Sequence, residues 1–156
     1  MGVTSPRWLD TAEQRAWRNY VEATVMLFDE LDRQLQRDAG MPHGYYEILV
    51  RLSEADDRTM RMSELATATR SSRSRLSHAV SRLEERGWIE RADCETDRRG
   101  QLARLTEKGL EALRDAAPGH VETVRAYMID RLSDEQIAQL GDIAETIVNG
   151  LTAGRS

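Results

Sequence analysis

Apolar residues recur every three or four positions along most of this chain, the rhythm of amphipathic helices, and only the middle breaks into alternation. Over residues 10–38 Trp17, Tyr20, Val21, Thr24, Val25, Phe28, Leu31 and Leu35 share one face. Asp10 with Glu13 makes a capping-box start there, and Gly40 with Pro42 marks the end. Such a helix is on the order of 43 Å long, more than a small domain covers, so part of it is expected to meet a second subunit. A second helix, around Gly44 to Glu54, carries Tyr45, Ile48, Leu49 and Leu52 on one side, and 55–58 reads as a polar loop. Met60-Arg61-Met62 fits a short strand. Ser63 is placed to cap a short helix with Leu65, Ala66 and Ala68, and Ser71 or Ser72 caps the next. In that helix Leu76, Val80 and Leu83 make one buried stripe, and Gly87 supplies a left-handed stop. Trp88–Arg91 and Leu102–Leu105 read as strands that would complete a three-stranded sheet, with Thr96-Asp97-Arg98-Arg99-Gly100 at the tip of their turn. Thr106 opens a helix toward Asp130, in which Pro118-Gly119 predicts a kink or a short break. Ser133 with Gln136 opens a last helix, whose face of Ile137, Leu140, Ile143, Ala144, Ile147, Val148 and Leu151 is closed by Gly150 and Gly154.

Residues 63–106 therefore read as two short helices followed by a basic hairpin, a winged helix-turn-helix. The second helix is apolar behind and bears Ser72, Arg73, Ser74, Arg75, His78 and Arg82 at its start and along its flank. That composition suits insertion into the DNA major groove, where Arg can hold guanine with two hydrogen bonds and Ser or His can reach base edges or phosphates. Arg82, two turns further on, is better placed for phosphate. At the hairpin, Asp97 would repel phosphate and is assigned a structural role, holding the wing through an ion pair with a neighbouring Arg.

The segment Asp97-Arg98-Arg99-Gly100, followed by Leu105-Thr106 and Gly109, resembles the wing signature of the MarR family of bacterial transcription regulators. The run Arg82-Leu83-Glu84-Glu85-Arg86-Gly87-Trp88-Ile89 is similar to that family's passage from recognition helix into wing, and the likeness is densest over 60–109. The resemblance implies a mainly α protein with a small β-wing, a winged helix-turn-helix flanked by N- and C-terminal dimerisation helices. The expected parts of this single compact domain are 1–40 (N-terminal dimerisation helix), 41–106 (winged helix-turn-helix) and 107–156 (C-terminal helices completing the dimerisation region). It further implies a homodimer with two recognition helices about one turn apart on a pseudo-palindromic double-stranded site. The Arg matching Arg99, beside Arg98, would enter the minor groove, whose negative potential attracts it. A small aromatic or phenolic effector is expected between the dimer region and the winged helix, with Trp17, Tyr20, Tyr45 and Tyr46 as candidate contacts. The function implied is a repressor released by that effector.

The net charge of −5 argues at first against nucleic acid. It is unevenly spread: residues 70–104 hold nine Arg against six acids, while the rest of the chain holds 13 basic and 21 acidic groups. A local basic face on an acidic body is the expected footprint. No apolar run approaches the roughly 18 residues of a membrane span, and Met1–Leu9 lack a signal core, so a cytoplasmic protein is expected. The single cysteine, Cys94, excludes an internal disulfide. A redox-responsive regulator acting through Cys94 is one alternative, opposed by Asp93 and Glu95, which disfavour a thiolate. A winged-helix adaptor that binds protein but not DNA is another. His43, His78 and His120 lack metal-ligand spacing, and no Gly-rich phosphate loop or nucleophile elbow is present. Neither a metal nor another cofactor is expected, and the chain does not read as an enzyme.

Overall fold

The computed structural model describes residues 5–94 and 97–154, with backbone alone at 94 and 97–99. Helix α1 (Thr11–Ala39) opens as the capping box requires: the Asp10 carboxylate accepts from the Glu13 N–H at 2.8 Å, and the Glu13 carboxylate from the Asp10 N–H at 2.9 Å. Gly40 closes it, and α2 (His43–Glu54) follows at once. It starts one residue before the expected Gly44, because the Asp32 carboxylate of α1 accepts the His43 N–H at 2.8 Å and so caps the helix from outside. Its buried residues are Tyr46, Ile48, Leu49 and Leu52, whereas Tyr45 is only half-buried. Because α2 touches α1, α3, α5 and β3, its buried arc is wider than a single stripe.

The expected loop at 55–58 contains a turn of 3-10 helix in which Asp57 and Arg58 are left-handed, and it leads into β1 (Thr59–Arg61). Met62, expected in the strand, instead begins α3 (Met62–Ala68), so Ser63 lies inside the first turn rather than at the cap. The cap position is Arg61, whose backbone N–H donates to the Glu64 carboxylate at 3.4 Å. Helix α4 (Arg73–Glu85) is capped by Ser72, whose hydroxyl accepts the Arg75 N–H at 3.2 Å. It buries Leu76, Val80 and Leu83 and ends before Gly87, at φ 72°, a conformation only glycine takes without strain.

Strands β2 (Ile89–Cys94) and β3 (Asp97–Leu105) pair antiparallel, and β1 adds on the other side of β3, giving the order β1-β3-β2. Ile89 faces Leu105 and Arg91 faces Ala103, with the register slipping between Asp93 and Cys94. Both strands are longer than apolar alternation suggested, since backbone pairing continues where both faces are polar. Asp97, Arg98, Arg99 and Gly100 thus belong to β3 and not to the turn; Thr96, the rest of the expected tip, lies outside the described residues.

Thr106 caps α5 (Glu107–Tyr127), accepting the Gly109 N–H at 3.0 Å while its own hydroxyl donates to the Gly87 carbonyl at 2.7 Å. Gly109 is obligatory there, because a β-carbon would land on the Trp88 carbonyl oxygen. Of the kink or short break predicted at Pro118-Gly119, the break does not occur: α5 continues through Pro118 and ends at Tyr127, short of Asp130. Packing of α5 along α1 outweighs the cost of one proline. A second 3-10 turn (Ile129–Arg131) leads to α6 (Asp134–Ala153), which Ser133 and Gln136 cap reciprocally. Gly150 does not close α6, which continues to Ala153 with Gly154 as its cap.

One core, centred on Leu35, Met41, Leu49, Leu65, Val80 and Leu83, joins α1–α5 to the sheet. The first half of α1 and all of residues 141–150 lie outside it, so large apolar side chains stay exposed on both terminal helices, Trp17 at 59 % and Leu151 at 61 % among them.

Candidate nucleic-acid interface

Helix α4 divides into rows one residue apart. Leu76, Val80 and Leu83 face the core; Arg75, His78 and Arg82 lie on the solvent side, with Arg73 and Ser74 exposed in the first turn. The helix is held from behind by apolar packing and from its start by the Ser72 cap, so its front stands exposed on a core-anchored element. The turn from α3 is equally fixed. The Ser71 N–H donates to the Ala66 carbonyl at 2.9 Å, and Arg70 takes the left-handed conformation that reverses the chain.

The arginines of the basic segment are not equivalent. Arg82 pairs with Glu85 at 3.0 Å and Arg104 with Glu90 at 2.6 Å. Arg86 donates to the Gly40 carbonyl at 3.0 Å and lies 4.8 Å over the Trp88 ring, and Arg91 is turned inward against α4. Arg70, Arg73 and Arg75 have no ion pair among the described residues. Uncommitted positive charge therefore gathers at the α4 N-terminus, where the helix dipole already favours an anion. Two shallow grooves flank that terminus. One, of about 400 Å³, runs between α4 and the wing and brings Arg61, Ser63 and Gln101 beside Arg73; the other, of about 560 Å³, lies between α3 and the α3–α4 turn. Arg61, Ser63 and Gln101 were not evident as site residues, because the β1–β3 pairing and the packing of α3 on α4 and β3 bring them to Arg73. The side chains of Cys94, Asp97, Arg98 and Arg99 lie outside the described residues, as do the roles expected of them.

The four aromatic candidates for an effector contact do not converge within one chain. Trp17 and Tyr20 are 59 % and 50 % exposed on α1, whereas Tyr46 is buried in the core and Tyr45 packs against it. What does converge is Tyr46 with Phe28, His43 and His120, along an open groove of about 640 Å³. The Tyr46 and His120 rings lie 4.4 Å apart, those of His43 and His120 5.7 Å, and Phe28 meets His43 edge-on at 5.3 Å. Burial, and then the neighbouring His43, push the His120 pKa below the usual histidine value, while burial raises that of the Tyr46 hydroxyl. The His120 Nδ1 is buried without a hydrogen-bond partner. His43 and His120 are distant in sequence, so nothing in their spacing announced the cluster. Among the described residues no group of His, Cys, Asp and Glu is arranged to hold a metal ion, and no helix is long and apolar enough to cross a membrane.

A core-anchored helix presenting Arg, Ser and His beside a three-stranded wing defines a winged helix-turn-helix protein of the kind that regulates transcription. Residues 39–100 match the MarR family, and a MarR family transcriptional regulator from Streptomyces coelicolor, Sco3205, solved in complex with DNA, is 56 % identical with a TM-score of 0.91. That likeness covers 94 % of this chain and 92 % of Sco3205. AbsC, a second MarR family regulator of Streptomyces coelicolor, is 45 % identical at a TM-score of 0.89, over 95 % of this chain and 99 % of AbsC. The transcriptional repressor MprA of Escherichia coli K12 is 38 % identical over 79 residues, which span 51 % of this chain but only 45 % of MprA. The chain belongs to the MarR family of transcriptional regulators.

Proposed function

We propose that this chain acts in the cytoplasm as a homodimeric repressor that occludes a promoter by binding a pseudo-palindromic site in double-stranded DNA. The observation that carries this reading is the front of α4, where Arg73, Ser74, Arg75 and His78 stand exposed on a helix locked from behind. The 56 % identity to a regulator solved on DNA supports it. Arg73, Ser74, Arg75 and His78 would read the major groove, and Ser72 and Arg82 would touch phosphate. Arg98 and Arg99 would enter the adjoining minor groove, with Asp97 holding the wing. Residues 1–40 and 107–156 would form the dimer, which explains why Trp17, Val25, Ile143 and Leu151 are left uncovered in the single chain. A small aromatic or phenolic effector would enter beside Tyr46; Trp17, Tyr20 and Tyr45 would join that site only where the partner chain closes it. Its binding would alter the spacing of the two recognition helices, which must match half-sites at a fixed separation.

The test is a mobility-shift titration on the DNA immediately upstream of the protein's own coding sequence, with unrelated duplex as competitor at two salt concentrations. Competitor-resistant binding that weakens as salt rises is expected. Absence of binding at both salts would refute the reading and favour the protein-binding adaptor.

A further inference from the structure

Arg91 occupies a position that alternation reserves for the core. It stands opposite Ala103 in the β2–β3 ladder, on the same face of the sheet as Ile89, Ala103 and Leu105, all of them buried. Its side chain, 22 % exposed, reaches α4 instead of solvent. Nη2 donates to the Ser77 carbonyl at 2.7 Å and to the Ser81 hydroxyl oxygen at 3.0 Å. Nε lies 3.1 Å from one oxygen of the Glu84 carboxylate, an ion pair without hydrogen-bond alignment, and the other oxygen accepts the Arg91 backbone N–H at 3.2 Å. The Ser81 hydroxyl itself donates to the Ser77 carbonyl at 3.0 Å, which closes the network. Ser77, Ser81 and Glu84 are spaced four and three apart, a polar row on α4 beside the apolar one. Beyond Arg91 the hairpin leaves the core: Ala92 and Asp93 are exposed, and the register then slips.

We propose that Arg91 is a positioning residue: it locks the wing hairpin at a set angle to the recognition helix, so that both engage one DNA half-site together. The proposal rests on the DNA-binding reading above. A hairpin free to rock would have to be ordered on each binding event, at a cost in conformational entropy that the latch removes beforehand.

Two variants test it on a duplex that the wild-type protein enriches from a random-sequence pool. Arg91→Met keeps the stem and removes the guanidinium; Ser81→Ala removes one acceptor and leaves the core row alone. Affinity, hydroxyl-radical footprint and hydrogen exchange of the DNA-free protein are measured together. For Arg91→Met, which removes both guanidinium hydrogen bonds and the ion pair with Glu84, the expectation is binding weaker by about tenfold or more. Protection at the flanks of the site should be lost while the preference for its central bases stays, and exchange should quicken in β2 and β3 but not in α1 or α2. Ser81→Ala should move every readout the same way by less, and decides the matter if Arg91→Met fails to fold. Unchanged footprint and exchange in either folded variant would overturn the proposal. So would parallel loss of central and flanking contacts with exchange raised throughout, which is the mark of general destabilisation. A wild-type protein that enriches no sequence would instead bring down the DNA-binding reading, and the positioning role with it.

Discussion

Ile143→Ala measures directly whether α6 is covered by a second copy of the chain. Ile143 is 55 % exposed in the single chain, on a helix where Ile147, Val148 and Leu151 are exposed as well. Burying a whole Ile side chain stabilises by about 1.5–3 kcal/mol, so covering the half that remains open contributes about 1 kcal/mol. A two-fold interface contains the residue twice, which makes the loss about 2 kcal/mol per dimer and raises the dissociation constant about thirtyfold. Leu151, at 61 % exposure, contributes on the same scale. The double variant Ile143→Ala/Leu151→Ala should therefore weaken the dimer by about 4 kcal/mol, roughly a thousandfold. Sedimentation equilibrium over a dilution series reads this, with circular dichroism confirming unchanged helix content. A dissociation constant for the double variant within about twofold of wild type would refute the assignment of this face to the dimer.

Gly109→Ala should be among the most damaging single methyl groups in the chain, because the added carbon meets the Trp88 backbone and cannot be relieved by a rotamer change. A cost of about 3 kcal/mol is expected, seen as a melting temperature lower by about 10 °C, and a fall of a degree or less would contradict the close approach. Burial and His43 keep His120 below its ordinary value of 6.5, so below that pH the unfolded chain binds more protons than the folded one. Stability should accordingly be fully present above pH 6.5 and decline as the pH falls through it; His120→Gln should flatten that decline in a melting series, and an unaltered slope would place the titration elsewhere. Arg75→Ala should change which base is preferred at one position of each half-site, by about 1–3 kcal/mol in competitive binding to substituted duplexes. A uniform loss across all sequences would make Arg75 a phosphate contact.

Much of the fold was legible because its signals are local. The capping boxes at Asp10 and Ser133, the apolar row of α4 and the left-handed Gly87 depend on residues within about one helical turn, and all appear where the pattern put them. The family motif was legible for the same reason, and Gly109 and Thr106 show its physical content, a helix start fastened to Gly87 and Trp88 just past the end of α4. Errors arose where distant partners act. Asp32 caps α2 from another helix, packing on α1 carries α5 through Pro118, and backbone pairing extends the wing strands past their apolar residues. Residue types and spacing along the chain were enough to determine the winged helix-turn-helix and the basic front of α4. Only the tertiary structure decided which arginines are already committed to partners, that His43 and His120 meet beside Tyr46, and that Arg91 ties the wing to the helix it accompanies. The physical reason is range: caps and helical rows act within a few residues, whereas ion pairs, ring contacts and strand register depend on neighbours that folding alone brings together.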